Sequence, residues 1–489
     1  MIDYILRGGE VIDGSGGTRF RADVAIEGDR IAAVGAVGKA AGAREIDVSG
    51  RIVAPGFIDV HTHDDRALFA TPLMAAKASQ GVTTVVTGNC GISLAPLVRD
   101  DEPPPPLDLI GAAADYRHAR FADYLAALDR TPAALHAACL VGHSTLRVGV
   151  MAALDRPAET AELSRMAERL QEALDAGAVG LSSGLAYAPA ASAPPSEIEA
   201  RAALLRPAGA VYATHMRNEG SAVLDSLDES FAAGRAAGVP VVISHHKAVG
   251  AENFGRTAVT LPRIAAAQAR QEVGLDAYPY VASSTVLSAA QAGRATKVLV
   301  TWSKSAPEMA GRELSAIARE WDVGESEAVD RLQPAGAIYW MMDEADVQRV
   351  LRFEHTMIGS DGLPHDTHPH PRLWGTFPRV LGHYCRELGL FSVEEAVRRM
   401  TGLPARRFGL SGRGAIAAGA YADIAVFDPA TVVDHATYAA PTRPAAGIEP
   451  VFVNGRPVWS GGGPTGERPG RALRRQELQS EARAKAVVG

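Results

Sequence analysis

The sequence predicts a (β/α)8 barrel with a small β-sandwich domain built from both chain ends. Three observations predict it. From Pro55 onwards, apolar runs of strand length recur, most of them separated by helical stretches. The polar residues able to do chemistry gather at the C-terminal ends of those runs. On either side of this central part the texture turns to short strands broken by glycine and aspartate turns, without helical periodicity.

Residues 1–55 read as strands over Tyr4-Ile5-Leu6, Glu10-Val11-Ile12, Asp23–Ile26 and Arg30–Val34, with turns at Gly8-Gly9, Asp13-Gly14 and Gly28-Asp29. Such a unit cannot bury both faces alone. The barrel runs follow: Phe57–Val60, Val82–Val86, Ala137–Val141, Val179–Leu181, Ala210–Ala213, Val239–Ile243, Gly274–Ala277 and His355–Ile358. Helices are expected over Pro72–Ser79, Phe121–Leu128, Ala158–Ala176 and Ser221–Ala237. Asp101–Asp108, DEPPPPLD, reads as a proline-rich surface loop.

The stretch between the seventh and eighth runs is too long for one helix. Residues from about 285 to 345 therefore read as an insertion, with a helix over Glu308–Trp321. At the C-terminal end of a barrel strand, such an insertion covers the active site like a lid. After a helix at Ser392–Met400, strands return at Ala422–Phe427, Gly447–Phe452 and Arg456–Trp459, the last two joined by a hairpin at Val453-Asn454-Gly455. The expected division is 1–55 with 408–462 as the sandwich, 56–407 as the barrel, and 463–489 as a charged tail, exposed as a helix or frayed.

Bulk properties exclude several classes. The 489 residues carry a net charge of −7 and offer no basic field for nucleic acid. No stretch is long and apolar enough for a membrane span, and the N-terminus lacks a signal-peptide pattern. Cys90, Cys139 and Cys385 are odd in number and far apart, which fits a reducing, cytoplasmic setting. Oligomeric state is not legible.

The first run ends in His61-Thr62-His63, whose imidazoles share a strand face and make half of a metal site. The second ends at Cys90, the fifth at His215, the sixth at His245 or His246, and the eighth at Asp361. In a barrel these ends form one catalytic face. Imidazoles, a thiolate and a carboxylate converging there suit zinc.

The segments PGFIDVHTHDD, GVTTVVTGNCG, YATHMRNEG, ISHHK and GSDGLPHDTHPHPRLWGTFPRVLG, with the late run Gly419–Asp428, resemble the D-aminoacylases, the N-acyl-D-amino-acid deacylases of the amidohydrolase superfamily. The resemblance covers the chain to about Gly462. It implies one tight zinc on Cys90, His215 and His245, and a second, weaker position outlined by His61, His63 and Asp361. Adjacent strand residues face opposite ways, so one of His245 and His246 ligates; the family match selects His245. Asp361 would act as general base and then acid, and Tyr187 would donate to the oxyanion. Arg372, Lys247, Tyr278 and Ser284 would clamp the substrate's α-carboxylate. The implied partner is a small N-acyl-D-amino acid.

The alternatives are a cyclic-amide hydrolase of the dihydropyrimidinase or dihydroorotase type, or a non-catalytic scaffold. Against the first, the fourth run ends in Leu181-Ser182-Ser183-Gly184 and offers no bridging lysine. Against the second, the donors and the base are all in place. An apolar substrate side chain is expected; D-glutamate or D-aspartate would need a second cation, for which Arg294 and Lys297 are candidates. His365, His368 and His370 read as loop residues around the mouth.

Overall fold

The computed structural model describes residues 1–480. Eight parallel strands form a nearly closed barrel in sequential order: Phe57–Asp59, Val82–Thr87, His136–Gly142, Gly180–Gly184, Val211–His215, Val241–Ile243, Val273–Ala277 and Thr356–Ile358. Each lies within a few residues of its predicted run. Each strand pairs with the next through a parallel ladder, from the first to the eighth. The first and eighth strands meet more sparingly, through a bridge between Thr62 and Gly362 and a 2.8 Å bond from the Asp361 amide to the His61 carbonyl.

Inward-facing Ile58, Val60, Leu140, Val211, Ala213 and Val242 fill the barrel. Phe408, Leu410, Leu473 and Leu478 join the same cluster. The charged tail is thus not simply exposed. Its apolar residues Leu473 and Leu478 are 6% and 4% exposed, and its backbone bonds Ala137 on both sides. The rest of that expected tail, residues 481–489, lies outside the described residues.

Helices close the crossovers. Thr160–Ala176 buries Met166, Leu170, Ala173 and Leu174 on one face and stops at Gly177, whose φ of 118° suits a residue without Cβ. Val393–Met400 starts from Ser392, whose hydroxyl accepts from the Glu395 amide, a cap contributing about 1 kcal/mol.

Strands from both chain ends join one nine-stranded sheet. Ile52–Pro55 pairs with Tyr4–Val11 on one side and Ile424–Phe427 on the other. The sheet curls over Leu6, Val24, Ile26, Val53, Ile424 and Phe452, and the Asp29–Ile31 edge returns to bond Ala420 and Ala422. Asn454 and Gly455, both at positive φ, make the predicted hairpin turn. Gly8-Gly9 does not turn. Tyr4–Val11 is one strand with a bulge there, because Gly8 at φ 72° absorbs the extra residue without reversing the chain.

The insertion holds more than the expected helix. Ala282–Val286, Lys297–Ser303 and Ala335–Trp340 form an antiparallel sheet, backed by helices Leu314–Glu320 and Glu325–Leu332 over a separate apolar core. Its edge strand Ala282–Val286 borders the barrel mouth.

Candidate active site

The barrel's C-terminal face carries a cavity of about 250 Å³ with His63, Cys90, His215, His245, Lys247, Tyr187, Tyr278, Ser284 and Asp361 among its lining. These residues leave the strands through strained turns. Cys90, His245 and Asp361 have φ of 53°, 36° and 51°, in the left-handed region that costs a non-glycine residue about 1–3 kcal/mol. Strain of this kind is held only where surrounding contacts enforce it.

His61 and His63 reach the site by a bend rather than by alternation. Ile58 and Val60 face the barrel interior, so a straight strand would turn both histidines outwards. The ladder ends at Asp59, and the bend at Val60-His61 re-aims them. His245 is likewise past its strand, which ends at Ile243. Its ring faces Cys90, whereas His246 turns away to Thr260, 2.8 Å from its hydroxyl.

Two donor groups share Cys90: Cys90, His215 and His245, and His61, His63, Cys90 and Asp361. The Cys90 sulfur lies 3.6 Å from His215 Nδ1, 3.4 Å from His245 Nε2 and 3.2 Å from His61 Nε2. His63 Nε2 lies 3.1 Å from Asp361 Oδ1. A sulfur and a nitrogen on one tetrahedral zinc stand about 3.6 Å apart, given bonds of about 2.3 and 2.05 Å. The donor set therefore fits zinc in chemistry and in spacing.

Electrostatics agrees. Burial opposes a thiolate, yet the imidazoles of His61, His245 and His215 hold the Cys90 thiol well below its usual range. Burial also opposes charge on Asp361, but Arg372, His61 and His63 hold its carboxyl well below normal. Against burial, hydrogen bonds with Asp361 and Cys90 raise His63 to about 9. Burial, with Cys90 nearby, pushes the Tyr187 phenol well up, so it stays a neutral donor; it now meets Thr285 at 3.0 Å.

Arg372 is fully buried on the helix Arg372–Arg379, against Asp361 and Tyr278 and behind the cavity's lining residues rather than among them. Its Nη1 lies 2.9 Å from Asp361 Oδ2, its Nη2 donates to the Ser284 carbonyl, and it stacks 4.5 Å over Tyr278. His370 supports that turn by accepting from the Arg372 amide. Lys247 donates to Glu219 at 2.7 Å and contacts His245 Nδ1 at 2.7 Å. Ser284 Oγ has no hydrogen-bond partner among the described residues.

Arg294 and Lys297 do not line the cavity: they pair with Glu252 and Glu313. His365 and His368 stay on the loop, His368 bonded to the Tyr438 carbonyl. Two supporting carboxylates went unread in the sequence. Asp276 stands 3.3 Å from His61 Nδ1 and accepts the His245 amide. Glu219 stands 3.0 Å from His245 Nδ1. The available signals were slight: Asp276 lies next to the end of the seventh run, and Glu219 four residues past His215 in the loop after the fifth strand.

Residues 44–281 and 210–459 match the sequence model of the amidohydrolase family. D-aminoacylase from Alcaligenes xylosoxydans xylosoxydans is 57% identical over 97% of this chain and 98% of its own. The chain belongs to the amidohydrolase family. The resemblance to D-aminoacylases read from its motifs is borne out, as is the barrel. A solved D-aminoacylase, studied for its binuclear metal centre with one-metal activation and second-metal attenuation, matches at TM-score 0.95 and 55% identity, covering 97% of this chain and all of that one. N-acyl-D-glutamate deacylase from Bordetella bronchiseptica, complexed with zinc and a phosphonate mimic of the tetrahedral intermediate, matches at TM-score 0.94 and 45% identity, covering 97% and 99%. In this amidohydrolase, no helix among the described residues is long and apolar enough to cross a membrane.

Proposed function

We propose that the protein hydrolyses the amide bond of small N-acyl-D-amino acids, releasing a carboxylate and the free D-amino acid, in a zinc-dependent reaction. One observation carries the reading: two donor groups share the thiolate of Cys90 on the floor of one cavity, in a chain this similar to D-aminoacylase. Cys90, His215 and His245 would hold one tight zinc. His61, His63 and Asp361, with Cys90, would outline a second, weaker position.

When bound, zinc supplies a water acidic near neutral pH and polarises the amide carbonyl. Asp361 takes the proton of the attacking water and passes it to the leaving nitrogen, which departs only once protonated. Its two oxygens are divided for this: Oδ1 faces His63, and Oδ2 faces Arg372. Tyr187 is within the same cavity and donates to the oxyanion. Arg372, Lys247, Tyr278 and Ser284 hold the α-carboxylate, and the position of that clamp relative to Cys90 sets the D preference.

The side-chain end is read as apolar. Ile92, Pro105, Pro106, Leu109, Val249 and Met341 line the cavity, and neither Arg294 nor Lys297 reaches it. The setting is read as cytoplasmic, in keeping with the free cysteines Cys90, Cys139 and Cys385.

A panel of N-acetyl-D-amino acids beside their L-forms tests the reading. D-leucine, D-methionine and D-phenylalanine derivatives are expected to turn over; hydrolysis of L-forms alone would overturn it. So would purified protein without zinc, or Asp361→Asn at full activity.

A further inference from the structure

The second of two short helices after the first barrel strand, Ala75–Ala78, carries a lysine the reaction does not use. Lys77 is 1% exposed. Its Nζ lies 2.8 Å from Asp59 Oδ2, 2.6 Å from Ser360 Oγ and 3.5 Å from Asp64 Oδ2. Asp59 ends the first strand; Ser360 precedes Asp361 just after the eighth. Asp59 Oδ1 accepts the Ser360 amide at 2.8 Å and the His61 amide at 3.4 Å. Ser360 Oγ accepts the Gly362 amide at 3.2 Å. Gln80, one turn on, donates to the Leu373 carbonyl and accepts the Phe377 amide, gripping the helix that carries Arg372.

We infer that Lys77 is a positioning residue: its buried ammonium clips the seam between the first and eighth strands and so fixes Asp361 against His61 and His63. This seam lacks the extended ladder found between the other barrel neighbours. Asp361 sits just beyond it in a strained conformation that needs outside support. An ammonium within reach of two carboxylates and a hydroxyl supplies that support without entering the cavity. The three imidazole and thiolate donors Cys90, His215 and His245 hang from other strands and do not depend on it. The buried ammonium offsets its carboxylates, and removing it alone would leave them buried without a cation.

The inference rests on the metal reading above, and the two fail separately. Wild-type zinc content tests that reading; the ratio of variant to wild type tests this one. Lys77→Met is made, together with Lys77→Met/Asp64→Asn, which removes one charge of each sign should the single variant not fold. Both are expected to retain one zinc per chain and a KM within a few-fold of wild type. The second ion is expected to bind roughly 10- to 100-fold more weakly, with kcat down by a similar factor. In metal-free protein, amide exchange is expected to quicken at Ser360 and Asp361 and to stay unchanged at His245 and His246. A lysine serving stability alone would lower Tm but leave kcat, second-ion affinity and the exchange pattern at wild-type values, and that overturns the inference. Loss of the tight zinc in both variants overturns it too, because the effect would not be confined to the seam.

Discussion

Arg372 offers the sharpest test of how the substrate is held. The guanidinium is fully buried, yet its Nε has no hydrogen-bond partner among the described residues, and Nη1 meets Asp361 Oδ2 at 2.9 Å without an aligned hydrogen bond. Nε is thus free for a planar acceptor, while Nη1 is engaged in the ion pair with Asp361 and Nη2 in the bond to the Ser284 carbonyl. A carboxylate is such an acceptor, and each hydrogen bond involving a charged group contributes about 1.5–3 kcal/mol. Arg372→Lys keeps the charge but loses the Nε donor, so one such bond goes. At 1.36 kcal/mol per tenfold, kcat/KM should fall roughly 10- to 150-fold, chiefly through KM. Arg372→Met removes the charge as well as that bond, and also strips Asp361 of its partner. The second effect acts on every substrate; the first acts only on those with an α-carboxylate. Steady-state kinetics are therefore run on an N-acetyl-D-amino acid and on its α-carboxamide. The acid should lose far more than the amide. Equal losses on both substrates would refute the clamp and leave Arg372 acting through Asp361 alone.

Three other outcomes are expected. His245→Ala should lose the tight zinc, whereas His246→Ala should keep it and lose only stability, since His246 bonds Thr260 instead; metal analysis after dialysis separates them, and the reverse pattern would exchange their roles. Tyr187→Phe should lower kcat roughly 10²–10³-fold with zinc content and KM nearly unchanged, and an unaltered kcat would remove it from the oxyanion site. Glu197, under buried His143 and Arg147, should contribute to acid stability. Burial opposes its charge, but those partners lower its carboxyl from 4.5 to about 2. Its contribution, about 3 kcal/mol, is present above pH 4.5 and is lost as pH falls towards 2. The Tm gap between wild type and Glu197→Gln should narrow over that range; a constant gap would contradict the assignment.

The barrel was legible because each strand is a local event: a short apolar run with a break behind it. The donors were legible for the same reason, since polar residues just past those runs must share one face. Legibility stopped where a residue's role depends on a partner from another strand. Asp276 backs His61 from 215 positions away, and Lys77 reaches Ser360 across 283. Neither distance leaves a periodicity to read. Alternation also failed at the site itself. It would have turned His61 and His63 out of the barrel once Ile58 and Val60 face in, and it does not govern His245 and His246, which lie beyond their strand. In each case a bend or a left-handed residue re-aims the donor, and such a turn is stable only because carboxylates and amides behind it are satisfied: Asp276 under His245, Asp59 and Ser360 beside His61 and Asp361. The donors can therefore be found by looking at strand ends, but their geometry belongs to the layer behind them. Substitutions in that layer should shift metal affinity and kcat while leaving the donors themselves intact.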